Sequence, residues 1–417
     1  MNVSPDFSPS IKLMKPYFLL SALSYVVSMV LLFFIDFKMQ VLSLEVVGWV
    51  HLYMLGFVMM AIFSAMAQLG PVVVETKHHN TNVFHYVWPF LVSGLLFMLY
   101  GFFQDVTLLP FGGILVLVAM ASYAIEFLLT LKNMRRKTAI TKAMKMSNFF
   151  LLFGILSGIV MAFALSGVIA LNPHEILPLH TFSLVVGFVI LLIMGISVIL
   201  IPMFGYAKRI SDNVFSKSFI TLSSGVILMI LSYFYEPLST LAYIVSITAI
   251  LLYTQQLITM YKSRKKVVHD VWARSYYVGF LSFFVAFGFF LLWLAFDVTL
   301  YIKVAMWLLL VGFFGFLIMG NFYKIIPFLV WFQIYSPLIE EQPVPMLHQL
   351  LDKKLSEFQW LYSTIGVILS SIGILLENEM LFLGGVTLLC VGGIIFLRAI
   401  WKVFQETTFI LDPHYNS

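Results

Sequence analysis

Charge is scarce in this chain. Only 10% of its 417 residues are Asp, Glu, Lys or Arg, against roughly 25% in a soluble domain, too few to coat a water-facing surface. Cysteine is scarcer still. The single Cys390, set in an apolar run, excludes an internal disulfide, a cysteine-based zinc site and an iron–sulfur cluster. Polar stretches are short, none exceeding the loop from Gln333 to Glu357, which leaves no water-soluble domain of any size. The opening residues, Met1 to Ser10, lack a basic segment followed by a short apolar core and a small-residue cleavage site, so no cleaved signal peptide is expected. The net charge of +5 comes from short basic loops and does not describe a nucleic-acid surface.

Apolar residues are abundant, at 61% of the chain. They fall into twelve runs: 17–36, 45–74, 86–104, 110–131, 147–171, 178–206, 216–235, 238–260, 275–296, 298–332, 357–376 and 380–401. Each is long enough to cross a hydrocarbon layer of about 30 Å. The chain is therefore expected to be an all-α membrane protein of twelve transmembrane helices forming one integral membrane domain over 1–417, with the lipid bilayer as its first partner. The division between 275–296 and 298–332 rests on Asp297 alone.

Lysine and arginine set the orientation, because they collect in cytoplasmic loops. Lys132, Arg135, Arg136, Lys137, Lys142 and Lys145 follow the fourth run. Lys208, Arg209 and Lys217 follow the sixth, and Lys262, Arg264, Lys265, Lys266 and Arg274 the eighth. The alternate loops, near Lys38, His174, Glu236, Asp297 and Glu377, are almost free of basic residues. Both termini are thus expected on the cytoplasmic side.

Three runs share a signature. The second reads Gly56-Phe57-Val58 with Pro71 fifteen residues after the glycine. The sixth reads Gly187-Phe188-Val189 with Pro202, and the tenth Gly312-Phe313-Phe314 with Pro327, both again at fifteen. A small residue, Ser64, Gly195 or Gly320, stands eight after each glycine. The glycines are 131 and 125 residues apart, four runs each time, so the chain divides into pseudo-repeats 12–146, 147–274 and 275–404. Small residues let neighbouring helices approach closely. Each proline frees a backbone carbonyl that a neighbour must satisfy.

Ionisable groups inside a membrane are functional candidates. His51 lies five residues before Gly56 and His180 seven before Gly187, at similar depth toward the outer side. Trp307 takes the place five before Gly312. One reading makes His51 and His180 cofactor or metal ligands, with His174 joining an outer metal site, since neutral imidazole is a common metal ligand. The other has each ring at a helix mouth, hydrogen-bonded to a loop or to water. The five-against-seven offset turns the two side chains by roughly 200°, which counts against a shared site. His78, His79 and His85 read as a solvated cytoplasmic loop, with a metal-entry site as the alternative. His269, His348 and His414 read as interfacial. Glu126, inside the fourth run, reads as a proton-relay carboxylate or as a side chain snorkelling toward Arg135 or Lys132. Lys324 reads as snorkelling or capping neighbouring carbonyls. The 22 methionines include Met54, Met59, Met60 and Met194, scattered in apolar runs as packing residues.

The segment Trp49-Val50-His51-Leu52-Tyr53-Met54-Leu55-Gly56-Phe57, in a twelve-helix plan of three four-helix units, resembles the second helix of haem-copper oxidase subunit I and the related nitric oxide reductases. His180, on a helix ending Ile201-Pro202, is similar in position to that family's sixth helix. The resemblance implies a low-spin haem ligand at His51, a copper-ligand position at His180, haem b or copper as cofactor, respiratory-complex or cupredoxin-like partner subunits, and a bacterial inner membrane. It also shows what is missing. The helix-seven stretch Phe219 to Gly225 has no His-His pair, and Val304 to Phe328 has no histidine. Oxygen turnover is therefore not expected, and the implied role is a haem- or metal-binding accessory, sensing or assembly protein. The NnrS-like haem membrane proteins of nitric oxide stress are a second resemblance. A transporter or channel for a small solute or metal is the alternative function.

Overall fold

The computed structural model describes residues 9–134 and 137–405. Arg135, Arg136, His414 and most of the segment read for a signal peptide lie outside the described residues. Among the described residues twelve helices are long and apolar enough to cross a membrane, and no strand forms. They are α1 Ile11–Phe34, α2 Leu44–Val74, α3 Thr81–Phe103, α4 Val106–Lys132, α5 Ala139–Leu165 and α6 Pro173–Gly205. The remainder are α7 Asp212–Leu231, α8 Leu238–Lys262, α9 Val271–Phe296, α10 Thr299–Leu338, α11 Lys353–Leu375 and α12 Glu379–Gln405. The protein is all-α and multi-pass.

Local chemistry sets the helix ends. Side chains of Ser10, Asp270 and Asp352 accept the backbone N–H three residues on, satisfying donors that a first turn leaves open. Thr138 and Thr141 form a reciprocal capping box, so α5 begins at Ala139 and carries Lys142 and Lys145 on its first turns rather than in a loop. The division after residue 296 is real. Asp297 adopts a left-handed conformation at φ 52°, its N–H donates to the Trp293 carbonyl, and α10 starts two residues later.

The three patterned spans are α2, α6 and α10, and each leaves α-helical geometry where its glycine lies. The π-helical stretches are Leu52–Met59, Phe182–Ile190 and Leu308–Phe314. Measured from Gly56, Gly187 and Gly312, their boundaries agree to within one residue. Well under 1% of residues adopt this geometry in ordinary domains, so three occurrences in register reflect a shared local design. The packing repeats too, since each stretch lies chiefly against the helix immediately before it. Ser21 Oγ of α1 donates to the Phe57 carbonyl at 2.8 Å. A side chain on Gly187 would meet Phe150 of α5 at 2.8 Å, and one on Gly312 would meet Ser282 of α9 at 2.6 Å. These spans are also the most buried, at 67%, 67% and 72% of their apolar windows against 22–50% for the other nine.

The chain packs as two compact units. The first, Ala67–Val268, holds the proline end of α2 and α3 to α8. Its buried amide Gln256 is satisfied by Ser218 Oγ at 3.1 Å and the Val214 carbonyl at 2.8 Å. The second joins the described residues of Pro9–Met66 and His269–Ser417, and holds α1, most of α2 and α9 to α12. Its buried amide Gln359 accepts from Tyr323 at 3.0 Å and donates to Ser363 at 2.9 Å.

Candidate functional site

His51 and His180 fall in different units. His51 sits on α2 just before the π-helical stretch, and its Nδ1 lies 2.8 Å from the Val47 carbonyl of its own helix. On α6, His180 places Nδ1 2.9 Å from the Gly154 carbonyl of α5. Its ring packs on Gly158, where an added Cβ would come within 2.6 Å of it. A carbonyl only accepts, so Nδ1 carries the proton in both rings and the neutral tautomer has its lone pair on Nε2. Nε2 is the nitrogen that would hold a cofactor, with a backbone carbonyl fixing the ring through Nδ1. His174 is exposed on the first turn of α6, its backbone N–H donating to Asn172 Oδ1.

The most buried ionisable pair lies elsewhere, and it corrects two readings of the sequence. His78 is not a solvated loop residue, and Glu126 does not snorkel. Their side chains are each 1% exposed and meet at 2.9 Å, Nδ1 to Oε1. The cause starts with Pro71. A proline lacks the N–H that would bond the carbonyl four residues earlier, here Ala67. His78 Nε2 donates to that carbonyl at 2.7 Å. Gly70 lets Phe127 of α4 close in, its ring 2.6 Å from where a Cβ would stand, which brings the neighbouring Glu126 within reach. Glu75, at φ 55°, turns the chain back after α2.

The proton count follows from the partners. Nε2 must carry hydrogen because Ala67 offers only an acceptor. Glu126 Oε1 also accepts from the His79 N–H at 3.1 Å and the Thr130 hydroxyl at 2.8 Å. An oxygen accepting from that many donors suits a carboxylate, and His78 Nδ1 completes its set at 2.9 Å. The other oxygen, Oε2, is buried with no hydrogen-bond partner among the described residues. Carboxyl group, imidazole and an unused buried oxygen together are groups that can bind a proton. The sequence did contain a signal, Glu126 and Thr130 four apart on one helix face, but nothing marked His78 as their partner.

The remaining residues are ordinary. His79, His85, His269 and His348 are exposed. Lys324 pairs with Asp270 at 2.6 Å. Among the described residues no three of His, Cys, Asp and Glu converge on a metal position. The donor set does not fit a copper ion; for haem, each of His51 and His180 has the chemistry of one axial donor. No protein-family model matches the chain, and no curated protein matches it.

Proposed function

We propose that this chain is a membrane protein on the helix plan of haem-copper oxidase subunit I, without the binuclear centre. In this reading it serves respiratory or nitric oxide metabolism at a bacterial inner membrane as an accessory, sensing or assembly protein, with both termini cytoplasmic. The observation that supports it is the equivalence of α2, α6 and α10, the spans that carry cofactor ligands in the resembled family. Here they are the most buried, share the glycine-to-proline spacing, and leave α-helical geometry at the same register. The group such a protein would hold is haem b, through Nε2 of His51 or of His180. The chain's own part is to present that nitrogen, each ring being fixed by its Nδ1 bond to Val47 or Gly154. Respiratory-complex or cupredoxin-like subunits are the partners this role calls for.

The test is the absorption spectrum of the detergent-purified protein from haem-replete cells, with metal analysis. The expected result is a Soret band abolished by His51→Ala or by His180→Ala, and copper well below one equivalent. A colourless native protein removes the haem reading. A second reading, a proton-coupled transporter, draws on the buried His78–Glu126 pair, because intramembrane carboxylates mark proton relays. Proton-dependent solute uptake into vesicles, lost in Glu126→Gln, would support it. A native flux indifferent to that change counts against it.

A further inference from the structure

Within the unit that holds α1 and α9 to α12, a cavity of about 500 Å³ opens where α1 connects to α2, α9 to α10 and α11 to α12. Its aromatic wall is built around Trp49 and Trp307, stacked with ring centroids 5.9 Å apart at 21°. Both indole N–H groups are used up, Trp49 donating to the Ser28 carbonyl at 3.0 Å and Trp307 to Ser370 Oγ at 2.9 Å. What they offer the cavity is therefore carbon. Phe382 stands edge-on to Trp307 at 5.2 Å, and Phe37 extends the wall at 5.2 Å from Phe382.

Four charges line the space, Asp36, Lys38, Lys303 and Glu377. Asp36, Lys38 and Glu377 are exposed; Lys303 is only half-exposed, one turn before Trp307 on α10. Among the described residues Lys303 has neither an ion pair nor a hydrogen bond. An ammonium set against apolar walls without an ion-pair partner in reach is costly, and an anion entering the cavity lowers that cost. The ammonium also repels any cation seeking the indole faces. The two exposed carboxylates disfavour a dianion. The volume falls in the range that encloses one small ligand.

We infer that this cavity binds a single-chain amphiphile bearing one carboxylate, its apolar body against Trp49 and Trp307 and its head on Lys303. Phe34 and Leu376, next in sequence to the lining residues Ile35 and Glu377, are exposed apolar side chains and provide the approach from the lipid. The inference uses no haem and stands apart from the role proposed above.

The experiment titrates the full-length protein in a non-ionic detergent with radiolabelled oleate, with methyl oleate and dioleoyl phosphatidylglycerol as competitors. Saturable oleate binding is expected, weakened about tenfold or more in Lys303→Gln, the loss of one charged contact. The exposed Lys38→Gln should stay within about twofold, as a screened rim charge does. Val50→Trp, which fills the cavity from α2, should abolish binding, and it carries the test alone should Lys303→Gln fail to fold. Native affinity retained in Lys303→Gln and in Val50→Trp overturns the inference. So does methyl oleate competing as well as oleate, which would mean the carboxylate is not recognised. Equal competition by phosphatidylglycerol overturns it as well, because the site would then be general contact with anionic lipid.

Discussion

The proline ends of α2 and α10 begin from the same motif and solve their polar problem differently. In α2 the carbonyl freed by Pro71 is taken by His78, which holds Glu126, both side chains sealed from solvent. Around Pro327 the charges sit at the surface. Lys324 meets Asp270 with side chains 34% and 38% exposed, and Arg274 meets Glu357 with 33% and 41%. A buried hydrogen-bonded pair is costly to break from one side, because the group left behind is unsatisfied, whereas an exposed pair is worth little. A spacing shared by two repeats thus does not imply a shared energetic weight.

That contrast can be broken most sharply at Glu126. Glu126→Leu leaves the buried His78 ring and the His79 N–H without their acceptor and should lower stability by about 1–3 kcal/mol for each donor left unsatisfied, read as thermal unfolding in detergent. Adding His78→Leu should recover part of the loss, since an apolar pair replaces the orphaned ring. A double variant no better than the single one would show that His78 matters through Ala67 alone. Next in size is the close packing at the π-helical stretches. Gly312→Ala drives a Cβ toward Ser282 and should cost about 1–3 kcal/mol by overpacking. Gly195→Ala meets nothing nearer than 3.8 Å and should be neutral or stabilising by up to about 1 kcal/mol. If both changes had equal cost, the glycines would act through helix propensity and not through contact.

The surface pairs at α10 define the small end of the scale. Lys324→Ala and Arg274→Ala should each cost less than about 1 kcal/mol and lose that effect in high salt. Smallest of all is Asp352, outside the spans at the start of α11. Its carboxyl is held below its ordinary value of 3.8, first by the Leu355 N–H and then by Lys402. A carboxylate whose folded pKa is depressed adds stability above its unfolded value, and the gain is lost as pH falls through the folded one. Acid titration from neutral pH to below 3.8 should show native protein losing slightly more stability than Asp352→Asn. The two curves should converge at the acid end.

Much of the architecture was readable from composition. Twelve runs became twelve helices because each run supplies enough apolar length, and Asp297 alone did divide α9 from α10. The glycine-to-proline motif pointed to α2, α6 and α10, which proved the most buried spans. Their π-helical geometry was not readable, since Gly-Phe-Val carries no period of its own and neighbouring helices decide how wide a turn can open. Lys142 and Lys145 were misread as loop because the capping box at Thr138 lies among polar residues where hydropathy gives no signal. The histidines were half legible. Their number and depth were visible, but which of them is sealed from solvent was not.

From the sequence alone came the all-α, twelve-span class, the spacing that repeats three times and the lack of a binuclear ligand set. All of these depend on residue type and order along one chain. Only the tertiary structure decided that His78 turns inward to the carbonyl freed by Pro71, that Glu126 meets it, and that Lys303 faces a cavity walled by two indoles. The physical reason is distance. His78 is bonded to Ala67 across 11 residues of chain and to Glu126 across 48, and contacts of such separation depend on how helices pack, to which local pattern is blind.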